Sequence, residues 1–172
     1  MSAQAKRPSP ALRLRRALLA SAKRMSASAA FARFAPHVLP RLDRLLGRLS
    51  GGRIQTARGT VPSLLLTTTG RRSGLPRQAP VACLPERATG SFLVVGSNFG
   101  REHHPSWTGN LLRTPRARVN YQGREIDVTA VLLSAAEKAE VWPRLTAMWP
   151  YDAYAARSGR EPRVFRLVPR SG

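Results

Sequence analysis

A chain of mainly β character, an α+β fold built as an antiparallel barrel or as a sheet with helices at its ends, is the fold class this sequence predicts. Three observations carry that expectation. About six short apolar or β-branched runs follow Val61, turn-forming residues join several of them as hairpins, and helical patterns fall at the ends and between. Strands linked in this way argue against a doubly wound parallel sheet, and no internal repeat is present.

The elements follow in order. Residues 1–10 contain Pro8, Ser9 and Pro10 and read as a tail. From Ala11, the residues Leu14, Leu18, Ala22 and Met25 share one helical face, with Arg13, Arg16, Lys23 and Arg24 on the other sides. A basic amphipathic helix of this kind suits an anionic membrane surface; docking on its own domain, or no folding at all, is the plainer reading. After Pro36 and Pro40, Leu39, Leu42, Leu45, Leu46 and Leu49 form a stripe for core packing, stopped by Ser50-Gly51-Gly52. The division is a basic arm over residues 1–35, partly disordered or helical, and one domain over residues 36–172.

The period changes at Val61. Ser63 to Thr69 is a first strand, residues 70–77 a hairpin-type loop, Gln78 to Leu84 a second strand and Ser91 to Ser97 a third. A short helix spans Pro105 to Arg113. Residues 116–121 and 124–133 form a further hairpin around Gln122-Gly123, in which Ile126, Val128, Ala130 and Leu132 alternate with Glu125, Asp127 and Thr129. Ser134-Ala135-Ala136-Glu137 is a capping box opening a helix that runs to about Met148. A short helix follows Pro150, and Val164 to Val168 closes the fold.

Composition limits the chemistry. The 172 residues include one cysteine, Cys83, which rules out an internal disulfide and a cysteine-based zinc site. Its apolar neighbours mark it as a core thiol. Basic residues number 29 and acidic residues 9, for a net charge of +20, and lysine occurs only at Lys6, Lys23 and Lys138. Residues 1–60 hold 13 of the basic side chains against Asp43 alone. Such a surface attracts polyanions, whether nucleic acid, acidic lipid or a small poly-anionic molecule. No stretch approaches the roughly 20 apolar residues of a membrane span. The only apolar run behind Arg15-Arg16 ends at Ala22, short for a secretory signal, whereas an Arg-rich, Ser/Ala-rich arm also resembles a transit peptide.

Four segments are candidates for chemistry. Thr67 to Arg77 contains two glycines that free backbone N–H groups, and Arg71, Arg72 and Arg77 add charged donors suited to phosphate or carboxylate. Its spacing is not that of a P-loop, and a solvated arginine hairpin is the plain alternative. Val94 to Gly100 carries a strand into small residues, which lets a flat ligand approach the backbone at Ser97 or simply ends a strand. Trp107 walls a ring-shaped ligand or fills the core. Tyr151 and Tyr154 share a helical face, as proton donors or as packing aromatics. No Ser-His-Asp arrangement, carboxylate pair or Gly-x-Gly-x-x-Gly is present. His37, His103 and His104 lack a companion Asp or Cys cluster, so no metal site is expected. Any chemistry is therefore supplied by a cofactor.

The segment Leu64-Leu65-Leu66-Thr67-Thr68-Thr69-Gly70-Arg71-Arg72-Ser73-Gly74-Leu75-Pro76-Arg77 resembles the signature of the deazaflavin-dependent nitroreductase family. Phe92 to Gly100, Pro105 to Leu111, Ala139 to Leu145 and Met148-Trp149-Pro150 follow in that family's order, so the likeness covers residues 40–169. It implies a split β-barrel of the FMN-binding, pyridoxamine-oxidase-like kind. It also implies the reduced deazaflavin coenzyme F-420 as hydride donor, in preference to FMN. Because that coenzyme carries a phosphate and an oligoglutamate tail, the resemblance assigns Arg71, Arg72, Ser73 and Arg77 to its anionic end. Pro80, Ser97 and Trp107 would border the ring. Ser97, Tyr151 and Tyr154 would serve the acceptor side as catalytic groups. Acceptors in the family are quinones, nitroaromatic compounds and activated alkenes. Ala82, Trp149 and Asn98 depart from the family at positions that carry tyrosine, tyrosine and a basic residue in other members.

The resulting expectation is an oxidoreductase, cytoplasmic or peripheral at the inner face of the cell membrane through residues 1–35, with a small-molecule acceptor and a homodimeric state. A non-catalytic, coenzyme-sequestering protein on the same fold is the first alternative. A nucleic-acid-binding protein is the second; aromatics make up only 6% of the chain and no RNA-recognition or helix-turn-helix signature accompanies the charge, so specific nucleic-acid binding is not expected.

Overall fold

The computed structural model describes residues 61–170, together with position 21. The expected helices over residues 11–25 and 39–49, and the boundary at residue 35, lie outside the described residues. Six strands, β1 (Ser63–Thr69), β2 (Pro76–Glu86), β3 (Ser91–Val95), β4 (Arg116–Tyr121), β5 (Arg124–Leu132) and β6 (Val164–Pro169), close into a barrel in the order β1-β2-β3-β6-β5-β4. Every neighbouring pair is antiparallel. Closure leaves no strand with an unpaired edge, which decides between barrel and open sheet. Three helices complete the described residues: α1 (Ser106–Arg113), α2 (Ala135–Met148) and α3 (Tyr151–Ser158).

The pleat sorts the apolar residues into two cores. Leu64 and Leu66 of β1, Val81 and Cys83 of β2, Phe92 and Val94 of β3, and Phe165 and Leu167 of β6 point into the barrel. Trp107 and Leu111 of α1 join them, so α1 plugs the barrel. The alternate residues Leu93 and Val95, with Val164, face outward and pack against Val141, Leu145, Tyr151 and Tyr154 of α2 and α3. Strand β3 is therefore buried on both faces, and all five of its residues are buried. That explains why it reads in sequence as a continuous apolar run without alternation.

Local chemistry ends the elements where expected, with three adjustments. Gln122 and Gly123 both have positive φ, 54° and 85°, which is the backbone of a tight two-residue hairpin turn between β4 and β5. Strand β2 starts two residues earlier than its sequence pattern, at Pro76, because it pairs along the whole of β1 out to Pro76 opposite Thr69. Strand β3 stops at Val95 instead of Ser97: the Gly96 N–H makes one last bond in register with β6, to the Arg163 carbonyl at 2.8 Å, and the chain then bends into a short 3-10 turn at Asn98–Gly100. The inward alternation of β5 holds at Val128 and Ala130 but ends before Leu132, which is 45% exposed; its neighbour Leu133 turns into the second core.

Candidate functional site

The loop between β1 and β2 is tied shut by its own backbone. Gly70 N–H donates to the Leu75 carbonyl and Gly74 N–H to the Gly70 carbonyl, both at 2.8 Å. The Ser73 hydroxyl accepts from Leu75 N–H and from the Arg77 guanidinium, each at 3.4 Å. A buried relay fastens this loop to α1: Arg71 N–H donates to Asn110 Oδ1 at 3.0 Å, and Asn110 Nδ2 donates to the Thr68 hydroxyl at 2.9 Å. Asn110 is 5% exposed and Thr68 2%, so the relay satisfies polar groups that would otherwise be costly to bury.

Between loop and helix lies an open groove of about 640 Å3 lined by Arg71, Arg72, Gly109, Leu112, Arg113 and Arg163. A Cβ on Gly109 would stand 3.4 Å from Cδ and Nη1 of Arg71, at ordinary contact, so that side chain lies close along α1. Four guanidinia thus share one groove whose lining has no carboxylate. None of the four takes part in an ion pair among the described residues. The acidic residues pair elsewhere: Glu86 with Arg166 and Arg144, Glu125 and Asp127 with Arg118, Glu161 with Lys138. Like charges crowded without counter-charge repel one another, and a polyanion relieves that repulsion. The donor set fits a phosphate or a run of carboxylates.

The segment after β3 meets the groove at Arg163. A Cβ on Gly96 would stand 2.7 Å from Thr108 Cγ2, so glycine is what lets this strand end press against α1. The Arg163 guanidinium donates to the Thr108 hydroxyl at 3.3 Å. Ser97 follows, half-buried. His104 closes the segment, its pKa lowered by burial and then by the nearby Arg160 and Arg163 charges.

The structure brings Arg71 and Arg72 onto the groove and sets Ser73 and Arg77 beside them on the same loop. Pro80 is exposed on β2, opposite Leu65 of β1. Trp107 is 7% exposed and packs on Phe165 with ring centroids 6.0 Å apart, inside the barrel. Tyr151 and Tyr154 do not line the groove. They are 2% and 1% exposed in the second core, on the far side of β3. Burial pushes the Tyr151 phenol upward, so it holds its proton firmly. Burial likewise pushes the Cys83 thiol up to about 12, as suits an inert core residue.

Sequence reading missed Arg113 and Arg163, which complete the groove, and Arg160, which holds the segment after β3. In a chain with 26 arginines none of the three carries a local signal, because what singles them out is a distance across the fold. Among the described residues no group of three His, Cys, Asp or Glu side chains could hold a metal ion.

The family model described as F420H(2)-dependent quinone reductase matches residues 41–169. A Mycobacterium tuberculosis protein provisionally named F420H(2)-dependent quinone reductase is 36% identical over 112 residues, 65% of this chain and 88% of that one. Among solved structures, an F420-H2 dependent reductase (FDR-A) superposes with a TM-score of 0.56 at 31% identity, covering 62% of this chain and 93% of that one. Another, described as a domain-swapped dimer, gives 0.58 at 28% identity over 77% of this chain and 98% of its own.

Proposed function

We propose, from the premise that this chain belongs to the F420H(2)-dependent quinone reductase family, that it passes hydride to a quinone-type acceptor with the coenzyme's anionic end held in the arginine groove. Membership makes it a deazaflavin-dependent oxidoreductase with reduced F420 as cofactor. The observation that carries the residue assignment is the groove itself, which four arginines line without a carboxylate.

When bound, the reduced coenzyme supplies a hydride; the chain supplies binding, orientation and proton management. Arg71 and Arg72, with Ser73 and Arg77 beside them, bind phosphate, and Arg113 and Arg163 extend the cationic surface toward the acidic tail. Pro80 and Ser97 would border the ring, with Trp107 supporting that wall from inside the barrel. For the proton that accompanies hydride, Ser97 is the best supported of the expected groups, being half-buried and following Gly96, whose N–H bonds to groove residue Arg163. Tyr151 and Tyr154 serve the acceptor side indirectly from the second core, by seating α3 against β3. Nitroaromatic compounds and activated alkenes are further acceptors of the same electronic type.

Replacement of Arg71 and Arg72 by alanine tests the assignment. Each charge-assisted hydrogen bond is worth about 1.5–3 kcal/mol, so the double variant is expected to weaken F420 binding by roughly two orders of magnitude or more. Fluorescence titration with oxidised F420, with FMN as control and menadione turnover of the reduced form, reads the result. Affinity unchanged in the double variant would remove the groove from the coenzyme site. Tight binding by the natural chain without turnover of any acceptor would instead identify a sequestering protein. Residues 1–35 are proposed to bring this chemistry to an anionic membrane surface. Two copies are proposed to pair, as the domain-swapped relative does.

A further inference from the structure

Arg160 is the most heavily hydrogen-bonded side chain of the described residues, and none of its partners is a carboxylate. Its Nε donates to the Arg101 carbonyl at 3.0 Å, Nη1 to the Gly96 carbonyl at 3.1 Å, and Nη2 to the Ser97 and His103 carbonyls at 2.8 and 3.3 Å. Nη1 also meets His104 Nδ1 at 2.9 Å. One half-buried fork thus gathers four carbonyls and a ring nitrogen from a single stretch, residues 96–104. A guanidinium set among neutral acceptors gives up water without gaining a counter-charge, which argues for a purpose in the stretch it holds. That stretch is strained. Asn98, Phe99 and Gly100 take φ of 48°, 55° and 76° in succession, and two of them are not glycine. The Arg157 guanidinium adds a donor to the Phe99 carbonyl at 3.3 Å. The stretch carries Ser97, joins the barrel to α1, and meets the arginine groove through the Gly96 N–H bond to the Arg163 carbonyl.

We propose that Arg160 is a positioning residue of the coenzyme site, a carbonyl staple that locks the strained Ser97 stretch in the one backbone conformation that receives the deazaflavin ring. The inference rests on the proposed coenzyme site. A planar fork is required, since a lysine ammonium cannot reach four carbonyls on two sides at once.

The test compares the natural chain with Arg160→Lys and Arg160→Ala in three readouts: F420 affinity, kcat and KM with reduced F420 and menadione, and amide hydrogen exchange over residues 97–104. Exchange in that stretch is expected to rise in both variants while the barrel strands stay protected. Misplacing the ring by about 1 Å is expected to cost roughly tenfold to a hundredfold in kcat/KM. Added guanidinium ion, in the millimolar range that leaves the natural chain unaffected, is expected to restore part of the loss in Arg160→Ala and none in Arg160→Lys, whose ammonium blocks the site. If Arg160→Lys matches the natural chain in all three readouts, the proposal is wrong. It is equally wrong if exchange rises over the whole barrel in step with a general loss of stability. If Arg160→Ala fails to fold, Arg160→Lys alone decides. Failure of the natural chain to bind F420 would overturn the coenzyme site, whatever the variants do.

Discussion

Single residues show how much of this site depends on charge that is placed without compensation. His104 is an example whose sign can be worked out. An arginine donates and does not accept, so the 2.9 Å contact with Arg160 Nη1 makes His104 Nδ1 an acceptor and leaves the ring neutral with its proton on Nε2. Burial and two neighbouring guanidinia lower the folded pKa from the ordinary 6.5. Below that ordinary value the unfolded chain binds the proton and the folded chain resists it. The stabilising effect of the neutral ring is thus complete above about pH 6.5 and is lost as pH falls toward the lower folded pKa. His104→Asn keeps an acceptor and cannot charge. Thermal melts at pH 8 and pH 5 are expected to show a smaller acid-induced loss for the variant than for the natural chain. Parallel losses in the two proteins would separate His104 from the acid response. The loop arginines were legible from the sequence as residue types suited to an anion, because two glycines and three arginines in eleven positions is a local pattern. Arg113, Arg160 and Arg163 were not, because their roles arise from chain segments more than forty positions away.

Elements were read more surely than sites. The capping box is the clearest case. The Ser134 hydroxyl accepts from Glu137 N–H at 3.3 Å while the Glu137 carboxylate accepts from Ser134 N–H at 2.9 Å, and α2 begins there. The helix continues through Pro143, which gives up one backbone hydrogen bond and leaves the first-turn cap to hold the element's start. Ser134→Ala is expected to cost about 1 kcal/mol, read as a shifted denaturation midpoint with an unchanged slope. No shift would mean that packing against β3 alone sets the start of α2. Hairpins with their own turn residues were equally legible. Strand ends were not: β3 stops two residues early because the chain bends into the turn at Asn98–Gly100, where three successive residues have positive φ. Leu132 reads as an inward residue by alternation but lies outside, because the chain is already leaving the strand to reach the second core.

Across the whole molecule, charge is distributed unevenly between two uses. Within the described residues Glu86, Glu125, Asp127 and Glu137 pair with arginines and Glu161 with Lys138, while the four groove arginines take part in no ion pair. Residues 1–35 hold eight basic residues and no acidic one. A Lys or Arg held close to an anionic bilayer surface is worth about 1 kcal/mol. The full chain is expected to co-sediment with phosphatidylserine-containing vesicles at low ionic strength, whereas a chain beginning at residue 36 stays in solution. Equal sedimentation of the two would place membrane affinity, if any, on the barrel. No helix among the described residues is long and apolar enough to cross a membrane.

The sequence by itself determined the strand and helix inventory of residues 61–170, the basic, turn-forming character of the loop after β1, and the class of chemistry. Those depend on neighbours within about ten residues: alternation, caps, turn glycines and a contiguous motif. The tertiary structure alone decided three things. It closed the strands into a barrel, because closure is a pairing of β1 with β4 that no local pattern encodes. It placed Tyr151 and Tyr154 in a second core outside the barrel wall instead of on the groove, because a helix face does not say which surface it meets. It assembled the four-arginine groove and the Arg160 staple, because electrostatics acts through space and the chain brings these side chains together only when it folds.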